Sequence, residues 1–384
     1  MNIYLAFLQS KIQHAIPAYS FWEYYIKNGI EEAGYNWAEG KVDWAEGLVY
    51  THNKEKLIKW KTEIWDKTLK DIKFKHSKSP ITLFLSYLYP HQVDVNAIKE
   101  IQKLGIPCVN FFCDNVRDFN KAPKEFAVFD LNWVPEYKAL KIYQKANYPY
   151  IHLPMPMWVA PKYRKLSTVE NNDISFIGSK DVQRWLLFEE IIKFNFNLKI
   201  YGAGWQNTDG VDTYTSTQKV NVMQILKNQF AFVKKIGIVA YSRKLQQRPL
   251  QLINSAHLQS HTRGKPNFEE YIKITQQSAI TLGVNSYPSF QYPLNKPNSY
   301  SRLRDIEAPM LGGCYLTQYT EGLEYLYDLG SEINTYSTTE ELSDKIIFLN
   351  LNQKIRNTLR INGQARALTE HSIHTSLRKI AQYF

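Results

Sequence analysis

Between Asn295 and Thr317 the chain reads Asn-Lys-Pro-Asn-Ser-Tyr-Ser-Arg-Leu-Arg-Asp-Ile-Glu-Ala-Pro-Met-Leu-Gly-Gly-Cys-Tyr-Leu-Thr. Pro297 breaks the chain, and Asn298, Ser299 or Ser301 can cap a following helix, which the pattern predicts over Tyr300 to Leu311. A helix start carries free N–H groups and a partial positive charge, which suits a diphosphate. Arg304 and Glu307 stand three apart, on one helical face. A carboxylate there can accept both hydrogen bonds of a ribose diol, while the guanidinium serves a phosphate or holds Glu307 in place. Spacing alone equally allows an ordinary surface ion pair worth a few tenths of a kcal/mol. Gly312-Gly313 ends the helix and permits close approach to the next strand.

Other polar residues stand where strands are expected to end. Gly178-Ser179-Lys180, with Arg184 beyond, follows the apolar run Ile174 to Ile177. Glycine lets backbone close on a phosphate, and Lys180 and Arg184 would neutralise it; a solvated helix start is the plainer alternative. Asp114 closes the run Cys108 to Cys113 and is a candidate general base, or else a turn aspartate. His14 and Tyr19 lie just after the first apolar run, in position to touch acceptor or donor; a lone histidine is more often an ordinary surface residue. The three cysteines, Cys108, Cys113 and Cys314, have no metal spacing and no disulfide framework, and no Asp-x-Asp occurs. No metal site is expected, and no cofactor.

The elements that must hold these residues alternate between strand and helix. Apolar runs at Ile3 to Leu8, Ile81 to Ser86, Cys108 to Cys113, Phe126 to Trp133 and Tyr150 to Leu153 read as strands. Helical periodicity marks Ser20 to Ala33, Lys54 to Lys75 and Val95 to Leu104. Prolines 149, 154, 156 and 161 then punctuate a connection, after which the alternation restarts. Strands are expected at Ile174 to Ile177, Leu198 to Tyr201, Ile280 to Val284 and Cys314 to Thr317, with helices at Arg184 to Phe194 and Glu340 to Leu349. The fold class is α/β, with two doubly wound, Rossmann-like domains whose ligands bind at the carboxyl ends of the strands. The divisions expected are 1–160, 161–365 and a terminal helix in 366–384 that packs back on the first domain.

A chain of 384 residues with 44% hydrophobic and 22% charged residues is globular and large enough for two cores. No apolar run spans a bilayer, and the N-terminus reads as a buried strand rather than a secretory signal. The formal net charge of +11 suits anionic partners. No nucleic-acid motif accompanies it, and the abundant Tyr and Trp suit sugar stacking equally well, so nucleic acid is not the expected partner. Thr213 to Arg263 holds eight Lys or Arg and no Asp or Glu, with Val222, Ile225, Leu226, Phe230, Val233 and Ile236 on one helical face. That basic amphipathic pattern suits an anionic membrane surface, or an extra helix packed on the domain with a solvated face.

The segment from Ser301 onward resembles the C-terminal half of group 1 glycosyltransferases of GT-B fold, nearest the spore-maturation-related branch. The resemblance rests on an ordered series: Arg304-Asp305-Ile306-Glu307, Gly312-Gly313, Tyr315-Leu316-Thr317, Glu321-Gly322-Leu323-Glu324-Tyr325-Leu326, Glu332-Ile333-Asn334-Thr335-Tyr336, Glu340-Glu341-Leu342 and Glu370-His371-Ser372. Ile174-Ser175-Phe176-Ile177-Gly178-Ser179 and Leu198-Lys199-Ile200-Tyr201-Gly202-Ala203-Gly204-Trp205 resemble that family's first nucleotide-domain strands. The resemblance implies transfer of a sugar from a nucleotide-sugar, such as a UDP-sugar, to a glycan, lipid-linked or surface-polysaccharide hydroxyl. The odd cysteine count and the strand-like N-terminus fit a reducing, cytoplasmic location, on the inner face of the membrane if the basic stretch binds it. Glu307 would hold the donor ribose. Gly178, Ser179, Lys180, Arg184, Ser299, Tyr300, Ser301 and Arg304 would line the donor site, and Tyr19 the acceptor site, with Asp114 and His14 at the reacting centre. One departure is plain: many relatives carry a glutamate where this chain has Ser299, so a catalytically silent nucleotide-sugar or glycan-binding protein is the alternative.

Overall fold

The computed structural model describes residues 1–10, 18–206, 238–251 and 256–384. Two sheets of six strands, parallel throughout, organise them. The first contains β1 (Asn2–Ala6), β2 (Asn36–Glu39), β3 (Leu83–Ser86), β4 (Cys108–Phe111), β5 (Leu131–Trp133) and β6 (Tyr150–Ile151) in the order β2-β1-β3-β4-β5-β6. The second contains β7 (Ile174–Ile177), β8 (Leu198–Tyr201), β9 (Thr262–Arg263), β10 (Ile280–Gly283), β11 (Tyr315–Gln318) and β12 (Asn334–Tyr336) in the order β12-β11-β10-β7-β8-β9. Continuous apolar runs such as Leu83-Phe84-Leu85 are what a strand covered by helices on both faces requires, and β3 and β4 are buried along their whole length.

The lysine-rich periodicity forms the helix Lys54–Lys78, which turns Trp60, Ile64, Trp65 and Ile72 inward and is capped by Asn53. The helix Ala18–Glu32 ends in a turn where Gly34 takes φ +76°. Short segments with little apolar signal, β2 and β9, complete the two sheet edges and are absent from the pattern-based expectation.

Beyond the second sheet, helices Thr339–Leu351 and Gln353–Glu370 lead to a last helix, Ile373–Ala381, which contacts the helix Ala18–Glu32. The Ile373 N–H donates to the Met157 carbonyl at 3.0 Å. All three cysteines are buried and free. No described helix is long and apolar enough to cross a membrane. His14 lies outside the described residues, as does most of the basic stretch 213–263. Of that stretch, the helix Ile238–Gln251 is described, and it exposes Ile238 and Val239 and anchors Arg243 to the Gln291 carbonyl.

Candidate donor and acceptor cleft

The strand ends of the second sheet build the floor of the cleft. After β7 and β8 the chain makes two turns, at Gly178-Ser179 and at Gly202-Ala203-Gly204, and backbone bonds stitch them together. The Gly178 N–H donates to Tyr201 O at 2.8 Å and the Lys180 N–H to Ala203 O at 2.9 Å. Trp205 Nε1 reaches the Gly178 carbonyl at 2.7 Å. Gly202 takes φ +133°, and a Cβ there would stand 2.3 Å from the Gly178 oxygen, so only glycine fits. Arg184 projects from the helix Val182–Ile191, whose first turn is capped by Asp181. Its Nη1 donates to Ser179 O at 2.7 Å and its Nε lies 3.3 Å from Asp181.

Two cavities open over this floor. The first, of about 590 Å³, is walled by Tyr24, Ala203, Pro266, Phe268 and Tyr271 and has Glu307 at its base. The second, of about 690 Å³, is walled by Asp114, Arg117, Arg184, Asn285, Tyr300 and Arg302. Gly178, Ser179 and Arg304 line both, so the cavities meet at the glycine turn. A planar apolar slot, a carboxylate beside it and cations at the junction form an arrangement that could hold a nucleoside, its ribose and a diphosphate in sequence.

Glu307 is only 4% exposed. Tyr25, from the opposite half of the chain, donates to its Oε1, and Tyr271 donates to its Oε2 at 2.6 Å. Arg304 lays its guanidinium over the Tyr271 ring, 4.4 Å from the centroid. The surface ion pair allowed by spacing is therefore not what forms: both residues face the interior cavities, and no ion pair joins them among the described residues.

The helix itself corrects the sequence expectation. It runs only over Arg304–Met310 and starts behind Leu303, with no side-chain cap. Asn298, Ser299 and Ser301 do not cap it because the chain ahead is extended and Ser299 bridges Ser286 in antiparallel fashion. Asp305, fully buried, holds the turn instead: it accepts the Arg302 N–H at 2.9 Å, Tyr315 OH at 2.8 Å and Thr317 Oγ1 at 3.0 Å. Seven residues make a weak dipole, so a diphosphate reading moves to the guanidinium groups and the Gly178 turn. Lys138, from the first half, donates to Ser299 O at 2.9 Å, and Ser299 Oγ donates to Thr320 Oγ1 at 2.9 Å. Ser299, Ser301 and Lys180 line neither cavity.

Asp114 sits at the end of β4 with φ +147°, a strained conformation for a non-glycine residue. Its Oδ1 accepts from Tyr300 OH at 2.7 Å and its Oδ2 lies 3.6 Å from Arg117 Nη2. Burial raises its pKa above the ordinary carboxylate range, while Arg117 and the Tyr300 hydrogen bond pull the other way. Tyr19 falls in the first turn of the helix Ala18–Glu32, its side chain outside the described part. Sequence reasoning missed Tyr25, Tyr271, Arg117 and Arg302. Only Arg302, two residues before Arg304, carried a visible signal. The others are brought in by pairings across most of the chain. Among the described residues no group of three or more His, Cys, Asp or Glu is arranged to hold a metal ion.

The overall architecture is similar to that of several solved structures. HepE from Anabaena, in complex with UDP-glucose, matches all of this chain and 99% of its own at TM-score 0.57 and 11% identity. Sucrose-phosphate synthase from Thermosynechococcus elongatus matches over 100% of this chain and 98% of its own, at TM-score 0.54 and 11% identity. A glycosyltransferase from Rickettsia africae gives 0.55 at 10% identity, over 100% and 97% of the two chains. These likenesses establish the fold as GT-B, two parallel sheets with flanking helices facing across a cleft. No curated protein matches the sequence. Residues 183–382 match the model of a family described as glycosyl transferase-like. That match takes in more than half of the 384 residues, including Arg184, Arg304 and Glu307, and the chain belongs to the glycosyl transferase-like family.

Proposed function

We propose that this protein transfers a sugar from a nucleotide-sugar to a hydroxyl acceptor, with the nucleoside in the first cavity and the sugar and acceptor in the second. The observation that carries the reading is Glu307, a buried carboxylate at the base of an aromatic-walled slot, next to a glycine turn flanked by Arg184 and Arg304. Glu307 accepts the ribose hydroxyls. Gly178, Ser179, Arg184 and Arg304 face the diphosphate, with Lys180 and the extended Ser299-Tyr300-Ser301 segment behind it. Guanidinium groups aimed at the leaving diphosphate stabilise the charge that develops as the glycosidic bond breaks, without a metal. Asp114 takes the proton of the attacking hydroxyl. A uridine nucleotide is the first candidate donor, because HepE, similar in fold, binds UDP-glucose. Residues 1–160 form the acceptor side and 161–365 the donor side, in keeping with the motif order of the spore-maturation-related branch. The acceptor is a glycan or lipid-linked hydroxyl at the inner face of the membrane, where the basic stretch 213–263 meets anionic lipid.

Calorimetric titration with UDP and GDP tests the donor site directly. One of them should bind, and Glu307→Ala should weaken it by about tenfold to a hundredfold, as loss of a charged hydrogen-bonding partner does. No binding of either nucleotide to the wild-type chain, or an unchanged Glu307→Ala variant, overturns the reading. A second reading, a binding protein without transfer activity, is favoured by Ser299 standing under Lys138 where many relatives have a carboxylate. Donor hydrolysis or transfer assays separate the two.

A further inference from the structure

Four arginines and one carboxylate line the second cavity: Arg117, Arg184, Arg302 and Arg304 against Asp114. Buried guanidinium groups need an anion or a full set of acceptors, because leaving them unpaired costs several kcal/mol. Arg184 has Asp181, and Arg117 has Asp114 and Asp118. Each of Arg184, Arg302 and Arg304 keeps a buried nitrogen without a hydrogen-bond partner (Nε of Arg184 and of Arg302, Nη1 of Arg304), but only Arg302 and Arg304 also make no ion pair among the described residues.

The two do not stand in the same place. Arg304 lines both cavities and so belongs to the junction, with Gly178 and Ser179. Arg302 lines the second cavity alone. Its Nη2 is fixed on the Ser286 carbonyl at 3.2 Å, and its guanidinium lies over the Tyr300 ring, 5.1 Å from the centroid. Tyr300 in turn donates to Asp114. Arg302 is therefore aimed at the space in front of Asp114, past the junction.

We propose that Arg302, with Arg117 on the opposite wall, binds a further oxyanion, a carboxylate or phosphate carried by the substrates in addition to the diphosphate. The inference rests on the nucleotide reading above. It identifies the substrate class as anionic beyond the donor's own phosphates. The group belongs either to the transferred sugar, as a uronic acid, or to the acceptor, as a phosphate or phosphodiester near the attacking hydroxyl.

Calorimetry on the full chain, wild type and Arg302→Gln, decides the matter. The probes are the nucleoside diphosphate that binds, its neutral sugar conjugate (glucose for UDP, mannose for GDP) and the corresponding uronate conjugate. Octyl phosphate and octyl glucoside are then titrated into the nucleotide-loaded protein. If the sugar carries the group, the uronate binds about tenfold more tightly than the neutral sugar, and Arg302→Gln removes that gain. If the acceptor carries it, octyl phosphate binds the loaded protein and octyl glucoside does not, again only with Arg302 present. In both cases Arg302→Gln leaves the affinity for the bare diphosphate within about twofold. A variant that loses diphosphate affinity about tenfold makes Arg302 a pyrophosphate ligand and overturns the proposal, as does a wild type indifferent to both anionic probes. Absence of any nucleotide binding overturns the donor-site reading itself, a distinct result. Circular dichroism melting checks that the variant is folded.

Discussion

The two cavities of the cleft share a floor and differ in their electrostatic state. In the first, Glu307 already has both oxygens engaged, one by Tyr25 from the first half of the chain and one by Tyr271 from the second. In the second, the guanidinium groups outnumber their anions, and Asp114 is the one carboxylate on the wall. A satisfied site is preorganised: its ligand replaces hydrogen bonds of the same kind. An unsatisfied one carries the cost of its unpaired charge, which a charged ligand removes. The difference separates a region built for holding from a region built for charge that arrives with the substrate.

Replacing Asp114 should break the comparison most. Asp114→Asn keeps the shape and the Tyr300 contact but removes the base. Transfer should fall by about a hundredfold to ten-thousandfold, with nucleotide affinity changed by less than about twofold, as steady-state kinetics and calorimetry would show. The pH profile sharpens the point. Burial raises the Asp114 pKa, so the acid limb of kcat/KM should lie above the ordinary carboxylate range and activity should fall as pH drops through it. Arg117→Gln removes a charge that lowers that pKa, so its acid limb should move to still higher pH.

A control outside both cavities is His371, whose Nε2 lies 2.6 Å from the Leu326 carbonyl. Burial pulls its pKa down to about 4. The unfolded chain takes up that proton near pH 6.5, so the stability contributed by His371 is complete above that pH. It is lost as pH falls toward 4, by up to about 3 kcal/mol. Melting temperatures between pH 7 and 4 should fall less steeply in His371→Gln. Within the first cavity, Tyr271→Phe removes one of the two hydroxyls that fix Glu307 and should weaken nucleotide binding by about tenfold, with little change in transfer once the site is saturated.

Much of this was legible in the sequence, for physical reasons that differ by element. Buried parallel strands need uninterrupted apolar runs, so Leu83–Ser86 and Cys108–Phe111 stand out. The edge strands Asn36–Glu39 and Thr262–Arg263 need no such run and left no signal. The helix carrying Glu307 was placed correctly by its motif but started four residues early. Asn298, Ser299 and Ser301 look like caps, yet Ser299 pairs with Ser286 and Lys138, partners that lie far away in sequence. Local chemistry was readable; the Tyr25–Glu307 bond, spanning 282 positions, was not. The arginine excess of the second cavity likewise exists only once Arg117 and Arg302 are brought to one cavity.

The place where the chain passes between its two halves sets how the cleft can move. It leaves the first half through Leu153 to Val159 and returns at Ser372, and the outgoing and returning segments lie side by side, with Met157 bridged to Ser372. Glu32, at the end of the first-half helix, takes Trp158 and Arg164 from the outgoing segment, while Gly29 on the same helix leaves just enough room for Ile373 from the returning one. Two parallel tethers fastened at one spot behave like a pair of door pins. They resist sliding and twisting and favour one swing, and the Tyr25–Glu307 contact lies close beside the pins, Tyr24 packing on Trp158 with ring centroids 5.2 Å apart, so it moves least and keeps its register while the far walls of the cleft travel.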